Sequence, residues 1–159
     1  MPRQHPSISH FTEEHRRRGG TGRIVVLPDS VHSAALAAAA LECEVGAIAN
    51  SLLFDADGSP VLLLTSGAHR VDTAAVAGRI GLTGLRRATP EFVRHHTGQV
   101  IGGVSPIGHP SELPTYVDPW LADHPVVWAA AGHPSAVFST THDELLALTG
   151  GTVVDMEAP

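Results

Sequence analysis

Apolar and polar positions change their period several times along the chain, and each change marks an element. SHFTEEHRRRGG reads as a short charged helix closed by Gly19 and Gly20, while the polar residues 1–8 ahead of it read as disordered. GRIVVLP is a strand of β-branched residues stopped by Pro28. VHSAALAAAALE follows as a helix whose small side chains allow close packing on a sheet, with Ser30 as its expected N-cap. Two apolar runs, one over 48–54 and one reading VLLLT, flank the turn DADGSP; an Asp-Gly turn between such runs predicts a β-hairpin.

Beyond the hairpin, Asp72 or Thr73 is placed to cap a helix that runs through Ile80 and stops at Gly81. A short strand at 85–87 leads to Thr89, which caps PEFVRHHT with Pro90 and Glu91 in the first turn. GQVIGGVSPIGHPSELP is rich in turn residues, but the interleaved Val100, Ile101, Val104 and Ile107 predict an ordered loop. TYVDPWL and HPVVWAAAGHPSAVFSTT supply three short strands, with a turn at 132–134 between the last two. Thr141 to Glu144 has the spacing of a capping box for HDELLALTG, and TVVDM is a final strand. Strands and helices mix without regular βαβ alternation and without an internal repeat. The expected fold is α+β, a single domain with a mixed, mostly antiparallel, barrel-like sheet flanked by helices. Residues 1–21 form a tail and short helix, and 22–159 the functional domain.

One position breaks the apolar pattern. In GAIANSLLF an amide, Asn50, stands at the entrance of a strand where packing alone would choose Ala, Val or Thr. It is either a satisfied turn residue or part of a site.

Composition narrows the chemistry. The 159 residues include sixteen glycines and twelve prolines, and the formal net charge is −6. All ten cationic side chains are arginine, so bulk attraction to nucleic acid is absent, and a lysine base or Schiff base is excluded. The single cysteine, Cys43, excludes an intramolecular disulfide and a cysteine zinc finger. The N-terminus has no apolar signal segment, and AALAAAAL is too short to span a bilayer, so a cytoplasmic protein with no membrane partner is expected. Arg16, Arg17 and Arg18 read as a solvated helix face.

Gly-x-Ser-x-Gly, Walker A and dinucleotide-binding motifs are absent, and the eleven histidines lack metal-ligand spacing. The better candidate is Gly102–Gly103–Val104–Ser105–Pro106. Two glycines before a proline let backbone amides approach a carbonyl oxygen or oxyanion; an ordinary tight turn would look the same. His133, between Gly132 and Pro134, is a second candidate for that cavity.

IANSLLF, DADG, VLLLTSGAHRVD, ATPEFVRHHTGQVIGGVSPIG, LPTYVD and AAGHPSAVFSTT, in this order, resemble the YbaK/ProX-type aminoacyl-tRNA editing domain. The same domain is inserted in bacterial prolyl-tRNA synthetases. The resemblance runs from about residue 22 to 155. It implies a freestanding deacylase that hydrolyses the ester of a mischarged tRNA, tRNA-Pro or a related small-residue mischarge, without metal or cofactor. It marks Gly102 as the glycine that holds the substrate carbonyl. The substrate-binding positions it implies are Gly103, Val104, Ser105, Pro106, Gly132 and Asp118, with His133 beside them. The expected partner is the acceptor end of the mischarged tRNA, with an aminoacyl-tRNA synthetase as a second candidate. Where the family typically carries lysine before Ser-Leu, this chain has Asn50, which keeps a donor but loses charge and reach. Arg70, in the loop after the hairpin, is the candidate replacement cation. A non-catalytic relative that binds tRNA or a small ligand is the alternative reading.

Overall fold

The structure is a computed structural model that describes residues 5–31 and 33–158. In chain order its elements are α1 (Pro6–Arg17), β1 (Ile24–Val26), α2 (Ala34–Leu41), β2 (Ile48–Ala56), β3 (Ser59–Ser66) and α3 (Thr73–Arg79). They continue with β4 (Arg86–Arg87), α4 (Pro90–Thr97), β5 (Thr115–Val117), β6 (Val127–Ala130), β7 (Ala136–Thr140), α5 (His142–Thr149) and β8 (Thr152–Val153). The strands join in one mixed sheet in the order β1-β7-β6-β2-β3-β5-β8, with β4 paired to β2. β1–β7, β7–β6, β2–β3 and β2–β4 are antiparallel; β6–β2, β3–β5 and β5–β8 are parallel.

The predicted hairpin is the centre of this sheet. Asp57 and Gly58 have φ of +52° and +90°, the pair of left-handed residues a two-residue hairpin loop requires, and the register runs from Ala56↔Ser59 to Ala49↔Ser66. Alternation along β2 and β3 then sorts their side chains. Ala49, Leu53, Leu62 and Leu64 enter the main core with Phe11, Val104, Ile107, Phe138 and Leu145. The opposite face carries Ile48 under α2 and Val61 and Leu63 under α3. Each large apolar side chain fully buried this way contributes about 1.5–3 kcal/mol.

The caps show where sequence reading succeeds and slips. Asp72 caps α3 and Thr89 caps α4, each accepting an N–H three residues on. For α2 the cap is Ser33, which accepts from the Leu36 amide, not Ser30; His32 of the same run lies outside the described residues. Half of the expected capping box forms. Thr141 accepts from the Glu144 amide, but the Glu144 carboxylate turns to Thr21 and Thr140 instead of returning to the cap. Residues 5–8, expected to be disordered, are the cap and first turn of α1, because Ile8 and Phe11 find places in the core; residues 1–4 lie outside the described residues. TYVDPWL is a strand only to Val117. Asp118 accepts from the Trp120 amide and starts a 3₁₀ turn over Pro119–Asp123. No helix of the described residues is long and apolar enough to cross a membrane.

Candidate functional site

The glycine loop is built from the end of α4 outward. Gly98 closes that helix at φ +71°, and the chain turns inward so that Gln99 is 5% exposed. Its side chain clamps the loop: Oε1 accepts the Ser105 amide at 2.8 Å and Nε2 donates to Ser105 Oγ at 2.9 Å. Ser105 Oγ in turn donates to the Ile107 carbonyl at 2.6 Å. His109 Nε2 donates to the Ser105 carbonyl at 2.7 Å. Burial holds the His109 imidazolium pKa below its ordinary value, and the Ser105 carbonyl only partly offsets that. Val104 and Ile107 anchor the loop in the main core, whereas Val100 and Ile101 stand exposed beside Gly102.

Gly102 itself has φ +91°, a conformation other residues adopt only with strain, and no heavy atom would meet a Cβ there. The Gly103 amide bonds to the Val100 carbonyl, while the amides of Gly102 and Val104 on either side have no partner among the described residues. Gly103 presses on the late turn: an added Cβ would lie 2.7 Å from Pro134 Cδ and 2.8 Å from the His133 carbonyl carbon. The structure therefore brings the glycine loop and the 132–134 turn into direct contact. In that turn His133 Nδ1 accepts the Ser135 amide at 3.0 Å. A neutral His133 then carries its proton on Nε2, which makes it a hydrogen-bond donor rather than a base at that nitrogen.

Asn50 reaches the same end of the sheet by strand register. β2 and β6 run parallel with Ile48↔Trp128 and Ala49↔Ala129, so the next step sets Asn50 beside Ala130, two residues before Gly132. On its other side Asn50 faces Thr65. Thr65 is fully buried and its Oγ1 has no hydrogen-bond partner; the half-buried Asn50 amide has none among the described residues either. This answers why an amide stands at that entrance: it is not a satisfied turn residue.

Two of the remaining sequence candidates lie deeper: Ser105 and Asp118 are 0% exposed, and both are bonded within the scaffold. The Asp118 carboxylate is filled by the Ser66 amide, the Trp120 amide and His69 Nδ1, the last at 2.7 Å. Arg70 is exposed and makes no ion pair among the described residues; it follows β3 by four residues, beyond the end of the hairpin where Asn50 pairs with Thr65. Its neighbour His69, which the sequence reading passed over, is the ordered one: its ring stacks on Trp120 at 3.6 Å and its side chain is 3% exposed. Gln99 was missed as well, since nothing in a lone Gln after a helix stop announces a buried clamp. The arginine run of α1 is largely neutralised within its own helix, by Glu13 for Arg16 and by Glu14 for Arg17 and Arg18. A cavity of about 620 Å³ lies between Pro106–Tyr116 and the end of α5, with none of residues 102–105 in its lining.

Comparison with known proteins decides the family. Residues 28–148 match the aminoacyl-tRNA editing domain. The chain belongs to that family. A crystal structure described as "a putative trans-editing enzyme for prolyl tRNA synthetase" superposes on the editing domain with a TM-score of 0.93 at 43% identity, covering 99% of this chain and 100% of the other. The proline–tRNA ligase of Levilactobacillus brevis is 30% identical over 93 residues, 58% of this chain and 16% of the ligase. The chain thus spans about a sixth of that relative. An uncharacterized protein of Bacillus subtilis, YwhH, is 28% identical over 138 residues, 86% of this chain and 85% of that protein.

Proposed function

We propose that this editing domain acts in trans as an aminoacyl-tRNA deacylase, hydrolysing the ester between a wrong amino acid and the terminal ribose of a tRNA. The observation that carries the reading is the contact between the left-handed Gly102 loop and the His133 turn. The free amides of Gly102 and Val104 are the donors available to the ester carbonyl as it takes on negative charge. His133 Nε2–H supplies a further donor, to the carbonyl or to a ribose oxygen. An aminoacyl ester is already activated, so holding it against these donors with a water at its carbonyl carbon leaves little need for a strong protein base. Water oxygen bonds to the carbonyl carbon, the ester C–O bond breaks, and the ribose oxygen leaves with a proton, giving free amino acid and tRNA. Selection follows from the size of the pocket, as a second sieve behind a synthetase that has admitted a near-isostere.

Single-turnover deacylation of tRNA charged with Ala, Cys, Ser or Thr tests the reading. One species is expected to be hydrolysed above the buffer rate, and Gly102→Ala or His133→Ala to abolish that hydrolysis in a folded protein. Wild-type rates in both variants would place the chemistry elsewhere. The uncharged Asn50 favours a second reading, a binding module without turnover. A flat panel that Asn50→Lys converts to hydrolysis would establish it.

A further inference from the structure

Helix α1 lies outside the segment that the family model matches, yet it touches both walls of the proposed site with two adjacent stripes of side chains. Ser7 and Phe11, one helical turn apart, meet the late turn: a Cβ on Gly132 would lie 2.7 Å from the Ser7 carbonyl oxygen and 3.3 Å from Phe11 Cβ. The His5 ring, whose Nδ1 accepts the Ser7 amide at the start of the helix, lies 4.6 Å from the ring of His133. His10 and Glu14, again one turn apart, meet the glycine loop at its other end. His10 Nε2 donates to the Gly108 carbonyl at 2.9 Å, and a Cβ on Gly108 would lie 3.6 Å from both side chains. Phe11 is fully buried against Phe138, 4.7 Å between ring centroids, so the helix that carries these stripes is itself fixed to the core.

We infer that α1 is a positioning element of the deacylation site and that His10 is its positioning residue for the glycine loop. The inference rests on the reading of the loop given under Proposed function. The Gln99–Ser105 clamp closes the span that carries the free amides of Gly102 and Val104, and His10 holds Gly108, three residues beyond it. His10 therefore acts on the span from its exit, through the short segment in which Ser105 Oγ also bonds the Ile107 carbonyl. Losing one anchor leaves the fold standing, because His10 is exposed and contributes nothing to the core, but lets the donors drift. A displacement of about 1 Å at reacting groups costs up to about a hundredfold in rate.

The test compares the full-length wild type, His10→Ala and His10→Gln, since Gln keeps an N–H donor of similar reach. Three readouts separate the roles: single-turnover rate constant and KM on the tRNA species found above, hydrogen exchange of the 102–108 amides, and thermal midpoint. The expected result for His10→Ala is a rate constant lower by about tenfold or more, KM little changed, faster exchange confined to the loop and an unchanged midpoint, with His10→Gln restoring rate and exchange. A wild-type rate and exchange in His10→Ala would overturn the inference. So would faster exchange with an unaltered rate, which would leave His10 a structural contact only. If the wild type hydrolyses no species, the deacylase reading fails by itself, and exchange with its rescue by Gln decides whether His10 holds the loop.

Discussion

The loop of residues 97–110 and the hairpin face around Asn50 are both polar intrusions into an apolar interior, and they resolve it in opposite ways. In the loop every buried polar side chain is bonded: Thr97 to the Val93 carbonyl, Gln99 and Ser105 to each other, and Ser105 on to Ile107. On the hairpin face of Asn50, Thr65 holds a buried hydroxyl without a partner and the Asn50 amide is free, and Ser51 on the other face of the same strand is unpartnered too. An unpaired buried polar group costs about 1–3 kcal/mol, so native structures retain few of them, and those few ask for a reason. The loop is a finished, preorganised wall. The hairpin face has hydrogen-bonding capacity left over, at the position where the family typically places a lysine.

The most direct way to break the wall is Gly103→Ala. Its Cβ would meet Pro134 Cδ and N at 2.7 Å, and a proline ring cannot swing aside as a flexible side chain would. We expect a loss of about 1–3 kcal/mol in denaturant unfolding, as for other overpacked sites, together with loss of deacylation. An unchanged midpoint would mean that the loop and the 132–134 turn are not in contact in solution.

Next comes Gln99→Ala, which leaves the buried Ser105 amide and hydroxyl without their shared partner. The expected cost is again about 1–3 kcal/mol, with activity reduced rather than lost because the Val104 and Ile107 anchors remain. Urea unfolding beside a rate measurement checks both halves.

Much of this contrast was legible beforehand, and the limits are physical. The hairpin, the Asp72 and Thr89 caps and the glycine loop follow from local chemistry: left-handed turn residues, hydroxyl and carboxylate caps, and period-two alternation. Ser30 and Ser33 are equally good caps by residue type, and only the path of the chain into α2 chooses between them. α1 was cut short because Ile8 and Phe11 show their value only against Phe138, far away in sequence. Asp118 and Ser105 carry polar atoms that suit a site, and sequence alone cannot tell a scaffold hydrogen bond from a substrate contact. The same blindness hid Gln99 and His69, whose partners are set by the fold.

A gentler probe of the wall is pH. Burial lowers the pKa of His109 in the fold, with Arg18 and His10 adding to it, and burial also lowers that of His15. Below about pH 6.5, the ordinary value, the unfolded chain takes up protons that the folded one refuses, so stability falls as pH drops through that value toward the lowered folded values. His109→Gln should keep a donor to the Ser105 carbonyl and flatten part of this slope. A slope identical to wild type in urea titrations at several pH values would assign it to other groups.

The smallest effect, and the one that separates the two regions, is expected from Thr65→Val. Valine keeps the shape of threonine and removes the hydroxyl. In a bonded site like the loop that change would cost stability. At Thr65 the hydroxyl has no partner to lose, so stability should hold or rise by up to about 1 kcal/mol. Deacylation is the informative readout, because Thr65 faces Asn50 across the hairpin. If the leftover capacity of this face serves the substrate, Thr65→Val is more stable and slower, a trade of stability against function confined to one oxygen atom. A variant that is destabilised instead would show that the hydroxyl is bonded in the folded protein, and the hairpin face would then be as finished as the loop.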